Sequence, residues 1–149
     1  MIKNILVPVD GSENSVRALD FALDIAEKYS AKLTVLNVSE APIMGAIPLE
    51  PTTISGDSMV LFTKDLRRFH EDILFKAVAH AKEIFPKVTV FSKFREGDPA
   101  MEIVAEAKEF GFDLVVVGHR GEGRMREIFL GSISEKVSHL APCPVVIVR

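Results

Sequence analysis

Residues 2–38 read IKNILVPVDGSENSVRALDFALDIAEKYSAKLTVLNV, and this stretch decides the fold. Ile2–Val9 is almost continuously apolar after Asn4, the pattern of a strand covered on both faces. Asp10-Gly11-Ser12 breaks the run. Ser12 is placed to cap a helix, and Glu13 suits the helix's positive end. Over Glu13–Ser30, Arg17, Asp20, Asp24, Glu27 and Lys28 fall on one side, with Ala18, Leu19, Ala22, Leu23, Ile25 and Ala26 on the other. That is a helix lying on a sheet. Lys32–Val38 predicts the second strand, parallel to the first through a right-handed crossover.

The same alternation continues outward. Ser39–Gly56 holds Pro42, Pro48 and Pro51, shows no periodicity, and reads as a loop of unusual length. Asp57 or Ser58 opens a long helix to about Phe85. Its apolar stripe is Phe62, Leu66, Phe69, Ile73, Ala77, Ala81 and Ile84, and Pro86 ends it. Val88–Phe94 predicts the third strand. Asp98 and Pro99 give an N-cap followed by proline at the first helical position, for a helix over Ala100–Phe110 closed by Gly111. Leu114–Val117 is the fourth strand, a short helix occupies about Ser132–Leu140, and Pro144–Val148 is the last strand. The order β-α-β-α-β-α-β-α-β predicts a three-layer doubly wound α/β domain with a five-stranded parallel sheet, read as one domain over residues 1–149. Two strand orders, 2-1-3-4-5 and 3-2-1-4-5, satisfy this pattern.

With 149 residues, 48% hydrophobic and 26% charged, the composition is that of a globular chain. The net charge of −3 argues against a general nucleic-acid binder, which carries a basic excess. No apolar run reaches the length of a membrane span, and Ile5-Leu6-Val7 is too short for a secretory core, so a cytoplasmic protein is expected. Cys143 is the one cysteine. It excludes an internal disulfide and lies between Pro142 and Pro144 as a structural thiol. His70, His80 and His139 lack the spacing of a metal motif and are expected on half-buried or surface positions. The ten phenylalanines are expected in core faces, and Lys64, Asp65, Arg67, Arg68, Glu71 and Asp72 on a solvated helix face.

Ligands of open parallel sheets bind beyond the C-terminal strand ends, where the strand order reverses. In the 3-2-1-4-5 order that point lies between strands one and four, flanked by Pro8–Ser12 and Gly118–Ser132. The second loop places Gly118, Gly121 and Gly131-Ser132 so that a strand end and a helix start bracket it. Gly118 lets a ligand approach the backbone, since it has no Cβ. The N–H groups of Ser132 and Ile133 point out of a helix N-terminus, a ready anion site. Arg120, Arg124 and Arg126 add cations, and His119 sits among them. Together these residues describe a phosphate cradle. The stretch fails as a P-loop, because Arg124 and Met125 stand where Lys and Ser/Thr are needed.

Val7-Pro8-Val9-Asp10-Gly11-Ser12, the Gly97-Asp98-Pro99-Ala100 turn, the glycine pattern of Gly118, Gly121 and Gly131-Ser132, and the closing Pro142-Cys143-Pro144-Val145-Val146 resemble the universal stress protein family, in its ATP-binding branch. The resemblance covers essentially the whole chain. It implies the 3-2-1-4-5 order of the adenine nucleotide alpha hydrolase-like fold, a homodimer, and ATP or another adenine nucleotide, with Mg2+ or Mn2+ carried on the phosphates. It further implies that Asp10 and the backbone at Val38 contact the adenosine, and that Gly118, Gly121, Gly131, Ser132 and Ile133 hold phosphates and ribose. Pro8, Val9, Val117 and His119 complete the candidate contacts, with Arg120 and Arg124 as cations on the phosphate side and no metal ligand from the protein. The expected function is an ATP-binding stress-response regulator; a slow ATPase or phosphotransferase is the alternative, disfavoured because only Glu122 and Glu127 lie near as carboxylates. The apolar strand Pro144–Val148 leaves an open edge, which predicts pairing with a second copy.

Overall fold

The structure, a computed structural model, describes residues 1–40, 56–119 and 131–149. In chain order these hold β1 (Asn4–Pro8), α1 (Glu13–Tyr29), β2 (Lys32–Ser39), α2 (Gly56–Ile84), β3 (Val90–Glu96), α3 (Pro99–Glu109), β4 (Leu114–Gly118), α4 (Ser132–Leu140) and β5 (Val145–Val148). The strands form one parallel sheet in the order β3-β2-β1-β4-β5. Of the two orders the alternation allows, this one puts the reversal between β1 and β4.

Side-chain alternation along the strands sorts the interior into two layers. Ile5, Val7 and Val9 of the first strand, with Leu33 and Val35 of β2, pack against Ala18, Leu19, Ala22, Leu23 and Ala26 of α1 and Ile73 and Ala81 of α2. Leu6, Leu36, Val115 and Val117 pack on the opposite face against Ala100, Ile103 and Ala107 of α3 and Val137 of α4. Each fully buried Leu, Ile or Val contributes roughly 1.5–3 kcal/mol of transfer free energy. β1 is central and its Ile5, Leu6 and Val7 are wholly buried, which is why it reads as an unbroken apolar run. Among the described residues no helix is long and apolar enough to cross a membrane.

Local start and stop signals are obeyed. Ser12 accepts from the Ser15 N–H at 3.2 Å and Asp98 from the Met101 N–H at 3.0 Å, each capping its helix. Gly111 follows α3 with φ of 63°. The third strand starts later than expected. Val88 donates its N–H to the Phe85 carbonyl at 3.0 Å, closing a turn over Pro86-Lys87, so Val88 enters the core from a turn and pairing begins at Val90. The expected burial of the phenylalanines is also corrected: Phe21, Phe69, Phe75, Phe91 and Phe110 are exposed, Phe75 by 73%. Phe69 and Ile84 of the α2 stripe lie half exposed, while Ile73 and Ala81 between them are buried. A 29-residue helix is about 43 Å long. The longest strand, of 8 residues, spans about 26 Å, so α2 is longer than any strand it lies on.

The β3 edge is covered by charge. Glu106 of α3 is 1% exposed and accepts from Arg95 at 2.5 Å and Lys93 at 2.9 Å. Arg95 also reaches Glu102 and Glu109, and these carboxylates raise its pKa above the ordinary guanidinium range. Lys93 Nζ stands 3.3 Å from the Phe110 ring centroid. Removing one member of a buried ion cluster leaves the others unpaired. Glu106→Ala is therefore expected to lower the unfolding free energy by about 3 kcal/mol, measured by urea denaturation, whereas Glu109→Ala, at the exposed end of the cluster, changes it by less than about 1 kcal/mol.

Candidate functional site

The turn after β1 is built by its own side chains. Asp10 Oδ1 accepts the Ser12 N–H at 2.9 Å, an Asx turn that bends the chain into α1. Ser15 Oγ donates to the Ser12 carbonyl at 2.8 Å and accepts the Asp10 N–H at 3.4 Å. Gly11 has φ of 86°, and a Cβ there would stand 3.4 Å from Ile73 Cγ1, so α2 packs directly beneath the turn. One carboxylate oxygen of Asp10 is thus committed to the fold.

The edge of β2 beside this turn is open. Backbone groups of the even residues of β2 face β1: the Lys32 N–H donates to the Lys3 carbonyl, and the Leu36 carbonyl accepts the Val9 N–H, both at 2.8 Å. Odd residues face β3, as Leu33 and Ser39 show. The register with β1 ends at Pro8↔Leu36, while pairing with β3 continues to Ser39↔Glu96. The N–H and carbonyl of Val38 therefore point where β1 has turned away. Pro8, whose nitrogen lies on the β4 side by the same alternation, leaves no orphaned N–H as the strands diverge.

On the other side of β1, the chain leaving β4 is pinned at both ends of its loop. The His119 N–H donates to the Val148 carbonyl at 2.6 Å, and the His119 carbonyl accepts the Gly131 N–H at 3.0 Å. Ser134 Oγ donates to the carbonyls of His119 (3.1 Å) and Gly131 (2.9 Å). α4 starts at Ser132 with Gly131 as its cap residue and no side-chain cap. The first N–H groups of a helix have no acceptor within it, so Ser132 and Ile133, both solvent-exposed, present donors and the positive end of the helix dipole.

These parts lie together. β1 pairs with β4 at Ile5↔Leu114 and Leu6↔Val115; carried on, that register sets Val9 beside Gly118 and Asp10 beside His119, whose carbonyl holds Gly131. Asp10, Val38, His119, Gly131, Ser132 and Ile133 thus share one end of the sheet, around the order reversal. Pro8, Val38 and Val117 share the sheet face toward α3 and α4. Gly121, Arg120, Arg124 and Arg126 lie outside the described residues. A cleft of about 350 Å³ opens on the opposite face, between α1 and α2. Of the described candidate contacts only Val9 and Asp10 line it, with Leu19, Phe69, Ile73 and Ala77 on its apolar wall.

Gly118 has a packing reason that the sequence does not show. A Cβ built there meets the backbone C and O of Asn14 at 2.8 Å. The missing side chain admits the first turn of α1, so the glycine is first a packing residue. Asn37 was not singled out from the sequence, and His70 was expected only as a half-buried or surface histidine. Asn37 is 1% exposed and its Nδ2 donates to the Val9 carbonyl at 2.7 Å. Its Oδ1 lies 2.7 Å from His70 Nδ1. A polar residue inside the apolar run KLTVLNV was the available signal. Burial holds the His70 pKa below the ordinary imidazole value. Burial, and then the charge of Asp113, pushes the Cys143 thiol up, away from nucleophilic use. Among the described residues no group of three or more His, Cys, Asp or Glu side chains could hold a metal ion.

A family model described as the universal stress protein family matches residues 1–149. Universal stress protein YxiE of Bacillus subtilis is 37% identical over 155 residues, covering 100% of both chains. The structure of universal stress protein UspA from Lactobacillus plantarum superposes with a TM-score of 0.80 at 24% identity, covering 99% of this chain and 97% of that one. A universal stress protein solved in complex with cAMP gives a TM-score of 0.71 at 26% identity, over 99% of this chain and 97% of that one.

The Asn14 contact has a measurable consequence. Gly118→Ala is expected to cost about 1–3 kcal/mol of stability through overpacking, read from denaturant unfolding of ligand-free protein. An unchanged midpoint would return Gly118 to a purely ligand-facing role.

Proposed function

We propose, from the premise that this chain belongs to the universal stress protein family, that it binds an adenine nucleotide across the reversal between β1 and β4 and acts as a regulator whose partner affinity follows occupancy. The observation that carries this reading is the convergence of three complementary groups at one end of the sheet. Val38 offers a peptide donor and acceptor without a β1 partner, suited to the edge of a purine. Asp10 offers a carboxylate oxygen beyond the one in the turn, suited to ribose hydroxyls. The uncapped start of α4 at Ser132 and Ile133 suits phosphate. The cAMP complex of a related protein supports adenine as the base.

ATP is the form we favour, with Mg2+ or Mn2+ carried by its phosphates, since the uncapped start of α4 lies across β1 from Val38 and suits an extended phosphate chain. Gly131, Ser132 and Ile133 would hold the phosphates, joined by Gly121, Arg120 and Arg124. Regulation rather than turnover follows from the chemistry of the described residues. Efficient hydrolysis needs a group that positions water, and Asp10, the one carboxylate among the described candidate contacts, gives one oxygen to its own turn and on this reading the other to the ribose. The open edge of β5, with Val145–Val148 half-buried, contrasts with the ion cluster over β3. Our reading is a cytoplasmic homodimer paired through Pro144–Val148.

Titration with a fluorescent ATP analogue tests the site. Asp10→Ala removes both the turn acceptor and the charge, and weakens binding by about 1.5–3 kcal/mol. Asp10→Asn keeps an oxygen for the Ser12 N–H and loses less. Equal affinity in all three proteins, or no saturable binding by the unaltered one, would end the proposal.

A further inference from the structure

We propose that Asn37 and His70 form a positioning pair that keeps the peptide edge of Val38 open for the heterocycle of the ligand. The inference deepens the nucleotide reading above and rests on it. After the Val9 N–H has bonded to the Leu36 carbonyl, the next rung of a continuing parallel ladder would run from the Val38 N–H to the Val9 carbonyl. That acceptor is occupied by a side chain instead: Asn37 Nδ2 donates to it at 2.7 Å. The neighbouring residue's amide stands in for the Val38 peptide. Strand β1 is released with its buried carbonyl satisfied, and the donor and acceptor of Val38 remain available side by side.

The amide works in only one orientation. Turned over, Asn37 would aim Oδ1 at the Val9 carbonyl, bringing two acceptors together inside the fold. His70 prevents this. Its Nδ1 lies 2.7 Å from Asn37 Oδ1. Because Nδ2 is committed to Val9, Oδ1 must accept, so Nδ1 carries the proton and the lone pair falls on Nε2. The ring is itself held, 5.5 Å from Phe69 in an edge-on contact and 5.8 Å from Phe94. α2 thus sets the orientation of an amide that decides whether β1 and β2 zip together. The ligand group this edge recognises is a purine bearing a hydrogen-bond donor beside a ring nitrogen, as a 6-aminopurine does.

Two measurements test the pair. In ligand-free protein, nitrogen NMR is expected to find His70 as the Nδ1–H tautomer, with the Val38 amide exchanging at least about 100-fold faster than that of Leu36. An Nε2–H tautomer, or equal protection of Val38 and Leu36, would overturn the proposal. The second compares binding of ATP with that of purine riboside triphosphate, which lacks the 6-amino group. The unaltered protein is expected to prefer ATP about tenfold. Asn37→Leu, which lets the ladder close, loses that preference; His70→Ala reduces it, and His70→Gln, which retains a donor, restores part of it. Should Asn37→Leu not fold, the His70 variants and the NMR signature decide alone. A full preference retained in Asn37→Leu or His70→Ala overturns the pair and leaves the nucleotide site standing. No binding of either compound by the unaltered protein, with the NMR signature present, ends the nucleotide reading and the pair's ligand role together.

Discussion

The early departure of β1 from the sheet is the constraint on which the site depends. Its ladder with β2 stops at Pro8↔Leu36, while β2 stays paired with β3 to Ser39↔Glu96 and β4 runs on to Gly118 beside β5. A central strand that ends before its neighbours leaves a notch, and reversal of the strand order at the same strand places the flanking loops on opposite sides of it. Several small devices hold the notch open. Pro8 carries no N–H that would seek a partner, Asp10 folds its carboxylate back onto the Ser12 N–H, and Asn37 occupies the carbonyl of Val9.

The rest of the molecule serves to keep that strand end fixed. α1 comes so close that Gly118 has no space for a Cβ against Asn14, and α2 closes from below, with Ile73 under Gly11. At the opposite end of the strands, Asp113 accepts the N–H groups of Lys3 and Asn4 at 2.8 and 2.9 Å. Those two bonds hold its carboxyl below the ordinary carboxylate pKa and tie the entry of β4 to β1. The two sheet edges are treated differently. β3 lies under a cluster of three glutamates of α3 with Lys93 and Arg95, which discourages strand addition, whereas β5 presents Val145–Val148.

Features encoded within a few residues were legible before any coordinates. Ser12, Asp98 and Gly111 are such cases, because a cap or a left-handed turn is satisfied by near neighbours in the chain. From periodicity alone strand order was legible only as a choice of two, since periodicity reports burial and carries no record of which strand lies beside which; the family resemblance selected 3-2-1-4-5, the order the sheet has. Features that depend on distant chain segments were misread. Val88 has strand-like chemistry, yet Pro86 draws it into a turn. Phe69 keeps helical spacing with Ile73, yet it lies half exposed on the wall of the cleft between α1 and α2. Gly118 stood out in the sequence as a glycine at a strand end, but its close approach to Asn14 of α1 did not. The Asn37–His70 contact joins residues 33 apart, and nothing near either one announces the other.

On the proposed reading a nucleotide binds at the notch and not in the α1–α2 cleft, and amide chemical-shift mapping during titration with an adenine nucleotide separates the two most directly. Saturable shifts at Asp10, Val38, Ser132 and Ile133, with one dissociation constant for all four, are the predicted result. Shifts confined to Leu19, Phe69, Ile73 and Ala77 around the cleft would contradict it.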